Sequence, residues 1–263
     1  MKDYLLFSSI GDNYDKAFKS WYCDSTERNY DIIFVYYGDD KARYNLLKKY
    51  CDIIKQRKGS KFQNLVNFYD DLLIDNYKYS WIVDDDISLD FDQINKMFEF
   101  ISQKQYSLCQ PSMHPKGQNS YYINQNKKGL LAQQVNYTNF IEVGCPILNK
   151  DYLYKTVIIL KGLNNNLMAF GIDYIWHTKF FTKNNYFKVL LNFMVYNPYP
   201  KEKKLKEREC LVFGDKDKHF DILNTINISV KDINILRIFY YENLLTGTIH
   251  RDNSLLLLLL LKK

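Results

Sequence analysis

Apolar runs and amphipathic segments alternate along the first two thirds of the chain. The runs YLLFSS at 4–9, DIIFVYY at 31–37 and YSWIV at 79–83 predict buried strands, and residues 52–54 predict a shorter one. Between these runs, the stretch around Trp21 and residues 41–50 and 62–76 have a helical pattern. This alternation predicts an α/β fold with a mostly parallel sheet flanked by helices.

The pattern changes beyond residue 145. Residues 171–181 predict a helix, and residues 188–195 predict a further apolar strand. A charged run, KEKKLKERE at 201–209, marks a boundary between a domain at 1–200 and a C-terminal part at 201–263. The run is typical of a solvated linker, with a phosphate or membrane contact as the alternative. After it we expect a helical segment over 219–245. The tail of seven leucines at 255–261 would pack on the body or lie at a lipid surface.

Polar residues follow three of the predicted strands. They are the serines at 8–9, the Gly-Asp-Asp at 38–40 and the three aspartates at 84–86. In open α/β sheets, ligands bind outside the carboxyl ends of the strands. We therefore expect a ligand site where these three clusters meet.

The aspartate triplet carries the strongest chemical signal. If the strand continued through it, Asp84 and Asp86 would project to one side and Asp85 to the other. Carboxylate oxygens of this kind select Mg²⁺ or Mn²⁺, which keep open positions for phosphate oxygens. The structural alternatives are an Asp-rich turn and an N-cap for the predicted helix over 88–100.

Composition narrows the class of protein. The net charge of +6, from 36 basic and 30 acidic side chains among 263 residues, is too small to indicate a nucleic-acid partner. The 23 tyrosines fit an AT-rich codon bias, or alternatively exposed rings that stack on sugars. The five cysteines show no metal-ligand spacing, and neither a signal peptide nor a membrane-spanning stretch is evident. We expect a soluble cytoplasmic protein with reduced thiols, able to contact the membrane face peripherally.

The order of strand, Gly-Asp-Asp, Lys-Gly-Ser-Lys and WIVDDDI resembles the GT-A fold of nucleotide-sugar glycosyltransferases and their DxD motif. Residues 139–148 (NFIEVGCPIL) and 169–173 (AFGID) are similar to a glycosyltransferase-like family of unassigned function, known from plants and bacteria. That family has an acidic triplet, a Glu before a Pro-aromatic segment, and a Trp-Gly-Leu-Asp motif. The resemblance spans roughly residues 4 to 200.

The resemblance implies roles for residues on the donor side. Asp84 would face the ribose and Asp86 would bind the metal on the diphosphate, with Asp84 as a further metal ligand. The remaining donor contacts would come from Ser8, Tyr37 and Asp39, which hold the base and ribose, and from Lys61, which approaches the nucleotide. For Lys61, the alternative is a solvated charge at the start of a helix.

The resemblance also implies roles on the acceptor side. Asp173 would be the general base if the reaction inverts, and its alternative role is a helix N-terminal residue that the dipole favours. Glu142 would contact the acceptor or serve as the base instead. Many GT-A enzymes supply a late His to the metal, but this chain has Asn197 there, whose amide oxygen or a water would substitute. His177 would line the acceptor side or be a structural histidine.

These observations favour a glycosyltransferase of the hexosyltransferase type that depends on Mn²⁺ or Mg²⁺. It would move a sugar from a nucleotide-sugar donor, with a UDP-sugar favoured, to a glycan or glycoconjugate acceptor in polysaccharide biosynthesis. One alternative is an inactive, glycan-binding protein of the same fold, suggested by the missing His. The other is a nucleotidyltransferase, although the turn at 8–11 lacks the basic residues that such enzymes use.

Overall fold

A computed structural model describes residues 1–12, 15–24, 26–119, 121, 124–126, 135–163, 171–182 and 185–199, together with the backbone of three short strands further on. The strands are β1 Tyr4–Ile10, β2 Tyr30–Tyr36, β3 Ile53–Gln56, β4 Tyr79–Ile82, β5 Leu108–Met113, β6 Val135–Thr138, β7 Ile147–Asn149, β8 Phe187–Val195, β9 Arg237–Ile238, β10 Tyr240–Glu242 and β11 Ile249–Arg251. The α-helices are α1 Lys16–Trp21, α2 Lys41–Leu47, α3 Lys61–Phe68, α4 Phe91–Lys104, α5 Lys150–Gly162 and α6 Ile172–Lys179.

Nine of these strands form one sheet in the order β3-β2-β1-β4-β7-β5-β8-β6-β9. The half made of β3, β2, β1 and β4 is entirely parallel, and β5 and β8 also pair in parallel. Strands β7, β6 and β9 run antiparallel to their neighbours. The predicted fold class, a mostly parallel sheet flanked by helices, is confirmed, and its parallel half brings the ends of β1, β2 and β4 to one edge.

Two large apolar clusters pack against the two faces of the sheet, and one of them contains Trp21 and Trp81. On one face Trp21 and Trp81 pack at 6.4 Å between ring centroids, and both are fully buried. Trp21 Nε1 donates to the carbonyl of Ile87, and Trp81 Nε1 donates to that of Cys145. A fully buried side chain of this size contributes about 2–3 kcal/mol or more through burial. The core therefore holds both loops that flank the end of β4.

The predicted helix over 62–76 is shorter in the structure. Helix α3 begins with a capping box, in which Ser60 Oγ accepts from the Gln63 amide and Gln63 Oε1 accepts from the Ser60 amide. It ends at Phe68, and Leu73 then adopts a left-handed φ of 51°. The apolar spacing continues past Phe68 because a second, 3₁₀ turn buries Ile74 on the same side of the protein.

The prediction of a helix over 219–245 is wrong where the structure describes that segment. Residues 237–238 form β9, which pairs with Tyr137 and Thr138, and residues 240–242 form β10, which pairs with β11. Ladder pairing with β6 overrides the helical pattern there. The charged run and the leucine tail lie outside the described residues. Within the described ranges the four cysteines are all free, and no helix has the length and apolar character needed to cross a membrane.

Candidate active site

The aspartate triplet forms a turn directly after β4. The strand ends at Ile82, and the Ile87 amide donates to the Asp84 carbonyl at 3.2 Å. The expectation of alternating side chains along an extended strand therefore fails here. The alternative role as an N-cap also fails, because α4 begins later and has Asp90 at its N-cap. The side chains of Asp84 and Asp85 instead contact two different parts of the chain.

Asp85 lies between the ends of β1 and β2. Its Oδ2 accepts from the Gly11 amide at 2.9 Å and from the Tyr37 hydroxyl at 3.0 Å. The Tyr37 ring lies directly against Gly11, where an added Cβ would be only 2.3 Å from the hydroxyl oxygen. Burial raises the pKa of Asp85, and the charges of Asp86 and Asp84 raise it further. Asp85 therefore joins the strand ends that were predicted to form the donor site.

Asp84 lies on the other side of the turn and pairs with Lys61. The ammonium group is 2.8 Å from Asp84 Oδ1 and also donates to the carbonyls of Ile82, Val143 and Gly144 at 3.2, 2.6 and 3.0 Å. The Lys61 side chain is 5% exposed, against 44% for Asp84. Lys61 was predicted to be a nucleotide contact or a solvated helix-start charge. The structure places it beneath Asp84, so it is not solvated.

Asp86 is the most buried carboxylate of the triplet, at 5% exposure. A single ammonium group cannot balance three neighbouring carboxylates, so the chemistry of the cluster fits a cation. Among the described residues, however, no group of three or more His, Cys, Asp or Glu side chains is arranged to hold a metal. Asp84 and Asp86 would therefore be the protein ligands, which suffices for Mg²⁺ or Mn²⁺ when substrate phosphates complete the coordination.

The other predicted donor and metal residues are Ser8, Asp39 and Asn197. Ser8 is fully buried inside β1, and its Oγ has no hydrogen-bond partner among the described residues. Asp39 is exposed at the end of β2 and pairs with Lys58. The segment with Asn197 lies nearer, because Ser88 pairs with Tyr196 in a short antiparallel bridge. The structure thus places Asn197 close in the fold to the end of the triplet turn.

Glu142 and Asp173 belong to a second, buried polar cluster. Asn124 Nδ2 donates to Glu142 Oε1 at 2.6 Å, and the Glu142 amide donates to Gln110 Oε1 at 2.7 Å. Burial raises the pKa of Asp173 to about 7, with a further contribution from the charge of Glu142. The pKa of Tyr121 is raised as well, by burial first and then by surroundings that include both carboxylates. Glu142 and Asp173 were predicted from separate motifs, and the fold brings them together.

Backbone geometry at Gly171 sets the start of α6 and hence the position of Asp173. Gly171 has a φ of 94°, a left-handed conformation that strains a residue with a Cβ. Two residues later, Asp173 Oδ1 accepts from the Tyr174 amide at 3.0 Å. On the same helix His177 Nδ1 lies 2.8 Å from the Asn139 carbonyl, and its ring stacks on Phe181. His177 therefore has the contacts of a structural histidine.

The donor-side and acceptor-side clusters meet at residues 142–145. Lys61 contacts the carbonyls of Val143 and Gly144, next to Glu142. Burial raises the pKa of Cys145 well above its usual value, and the charges of Glu142, Lys61 and Asp84 all act on this thiol. The sequence did not single out Gln110 or Asn124, and although it named Tyr37 it did not predict the contact of Tyr37 with Asp85, because such contacts join distant parts of the chain.

No protein-family model matches the sequence, and no curated protein matches it. Solved structures do match. GalNAc-T7 with UDP, GalNAc and Mn²⁺ has a TM-score of 0.50 at 8% identity, over 87% of this chain and 55% of its own. Staphylococcus aureus TarS has a TM-score of 0.47 at 14% identity, over 86% of this chain and 43% of its own. The TarS fragment 1–349 has a TM-score of 0.47 at 11% identity, over 77% and 62%.

The chain spans about half the length of the solved structures it matches. At identities this low, the likeness concerns the fold and not the activity. The GalNAc-T7 match covers 87% of this chain. The chain has a GT-A fold.

Proposed function

We propose that this protein is a metal-dependent glycosyltransferase that takes its sugar from a nucleoside diphosphate donor, with UDP as the favoured nucleotide. The observation that supports this most is the triplet at the end of β4, whose side chains reach β1 and β2 through Asp85 and the 142–145 loop through Lys61 and Asp84. The GT-A structure of GalNAc-T7, solved with UDP, GalNAc and Mn²⁺, supports the choice of donor and ion for the first test.

On the donor side, Asp84 and Asp86 are the residues that would hold Mn²⁺ or Mg²⁺, with Asn197 as a nearby amide. When bound, such an ion stabilises the negative charge that develops on a departing diphosphate. Asp85 would orient the site, since it fixes Gly11 and Tyr37 at the ends of the neighbouring strands. Tyr37 and Asp39 would lie beside the nucleoside.

On the acceptor side, Asp173 is our choice for the general base of an inverting transfer. A base works best when its pKa is near the working pH, and burial raises the pKa of Asp173 to about 7. Asp173 would take the proton of the attacking hydroxyl, and Glu142 would keep its pKa high. A glycan or glycoconjugate provides hydroxyl groups of this kind, which makes a polysaccharide precursor the acceptor class to screen.

The test is calorimetric titration of UDP, GDP and CMP into the protein, with and without Mn²⁺. We expect one nucleotide, UDP first, to bind in a Mn²⁺-dependent way, and Asp86→Asn to weaken that binding by at least about tenfold. The matched control is Asp90→Asn, since Asp90 is exposed, makes no side-chain capping bond and lies four residues away. If no nucleotide binds, or if Asp86→Asn behaves like Asp90→Asn, the proposal is wrong.

A further inference from the structure

Lys61 lies in an unusually complete arrangement of oxygen atoms. Its ammonium group contacts Asp84 Oδ1 and three carbonyl oxygens, from Ile82, Val143 and Gly144, at 2.6–3.2 Å. An ammonium group has three protons and no acceptor. These contacts therefore use its whole hydrogen-bonding capacity and leave none for a nucleotide phosphate.

The position of this charge is held from both ends. Lys61 is the first residue of α3, and the capping box of Ser60 and Gln63 fixes the start of that helix. The ammonium group bridges the end of β4 and the 143–144 segment, and the side chain is 5% exposed. Moving the buried, fully hydrogen-bonded ammonium group of Lys61 away from these oxygens would be costly. The exposed Lys58, which pairs with Asp39, has no such constraint.

We propose that Lys61 is a positioning residue that occupies one oxygen of Asp84 and so makes a divalent cation bind together with a nucleoside diphosphate rather than by itself. This inference rests on the proposed function. Asp84 Oδ2 makes no bond to Lys61 and lies against Gly144, where an added Cβ would be 3.5 Å away. An ammonium group and a divalent cation held by the same carboxylate would repel each other, and this repulsion weakens binding by about tenfold even in bulk water. Phosphate oxygens offset that repulsion with their own charge.

The experiment measures Mn²⁺ affinity with and without UDP, by the electron paramagnetic resonance signal of free Mn²⁺. In Lys61→Met we expect Mn²⁺ alone to bind at least about tenfold more tightly than in the natural protein, and the enhancement by UDP to fall by a similar factor. Asp84→Asn alone is expected to weaken Mn²⁺ binding by at least about tenfold, because Asp84 is one of the proposed ligands. The double variant should bind Mn²⁺ more weakly than Lys61→Met, because no carboxylate is freed.

Lys161→Met is the matched control, because Lys161 also pairs with an aspartate, Asp70, but on the surface. It is expected to change neither affinity. If Lys61→Met binds Mn²⁺ as the natural protein does, Lys61 does not act in this way, while the proposed function stands as long as Mn²⁺ and UDP still bind together. If neither binds to any variant, both the inference and the metal-dependent function are wrong.

Circular dichroism establishes whether Lys61→Met is folded. If it is not, Lys61→Gln decides, because its side-chain amide can still donate a hydrogen bond in place of the ammonium group but carries no charge. We expect Lys61→Gln to bind Mn²⁺ alone more tightly than the natural protein does. An unchanged Mn²⁺ affinity in a folded Lys61→Gln would overturn the inference.

Discussion

Replacing Asp173 by asparagine tests the acceptor site without assuming any substrate. Asp173 is 6% exposed and lies near a second carboxylate, so its charged form is disfavoured in the folded protein. Asparagine has nearly the same shape, can still accept the Tyr174 amide hydrogen bond, and has no charge. We therefore expect Asp173→Asn to stabilise the protein at neutral and alkaline pH, although it removes the proposed base.

The size of the effect follows from the pKa of Asp173, which burial raises from 3.8 to about 7. Between these values the folded protein holds a proton that the unfolded chain has released, so the stability of the natural protein falls as pH rises through this window. Each tenfold change in proton affinity corresponds to about 1.4 kcal/mol. The advantage of the variant should thus reach about 4 kcal/mol above pH 7, and about 3 kcal/mol of it should develop above pH 5.

The assay is urea unfolding of both proteins at about pH 5 and pH 8, with the free energies of unfolding compared at each pH. The matched control is Asp151→Asn, because Asp151 also lies in the first turn of a helix but is exposed. The control removes the same interaction with the helix dipole and is expected to change stability by less than about 1 kcal/mol at both pH values. The reasoning would be refuted if the free energies of unfolding of Asp173→Asn and the natural protein differed by the same amount at both pH values. It would also be refuted if Asp173→Asn were less stable than the natural protein at pH 8. In transfer assays the variant should be slower by about 10²–10⁴-fold, with UDP binding retained.

Two further substitutions test the architecture around the site. Gly11→Ala places a methyl group 2.3 Å from the Tyr37 hydroxyl oxygen and is expected to lower the free energy of unfolding by about 2–3 kcal/mol. The control Gly162→Ala, where an added Cβ has no atom within 4 Å, is expected to cause no such loss. Equal unfolding curves for the two variants would contradict the placement of the Tyr37 ring. Arg28→Met removes the two 3.0 Å bonds to Asp52 and is expected to cost about 1.5–3 kcal/mol in urea unfolding, because the partly exposed Asp52 carboxylate loses a buried partner. A loss below about 1 kcal/mol would mean that this pair behaves as a surface salt bridge.

The first half of the fold follows from local pattern. The apolar runs before residues 11, 38 and 84 are strands β1, β2 and β4, because four to six buried residues in a row suit a strand covered on both faces. Strands β5, β6 and β7 were not predicted. Each is short, and β5 contains Gln110, Pro111 and Ser112, whose burial depends on neighbours that lie far away in the sequence.

The same division applies within the site. The acidic triplet was identified from the sequence because three charges after an apolar strand are locally unfavourable without a function. The opposite orientations of Asp84 and Asp85 were expected for the wrong reason, since a turn and not strand alternation separates them. Lys61 was recognised as a candidate, but its burial beneath Asp84 depends on carbonyls from residues 82, 143 and 144.

By itself the sequence determined the alternation of strands and helices, the acidic turn at the end of β4 and the presence of two further acidic residues, Glu142 and Asp173. Only the tertiary structure decided which of these groups contact each other and how burial and neighbouring charges shift their pKa values. The contacts of Asp85 with Gly11 and of Lys61 with Gly144 span 74 and 83 residues. Local propensity acts over a few residues, whereas charge, burial and hydrogen bonding act through space, so the chemistry of the site is set when the sheet brings these segments together.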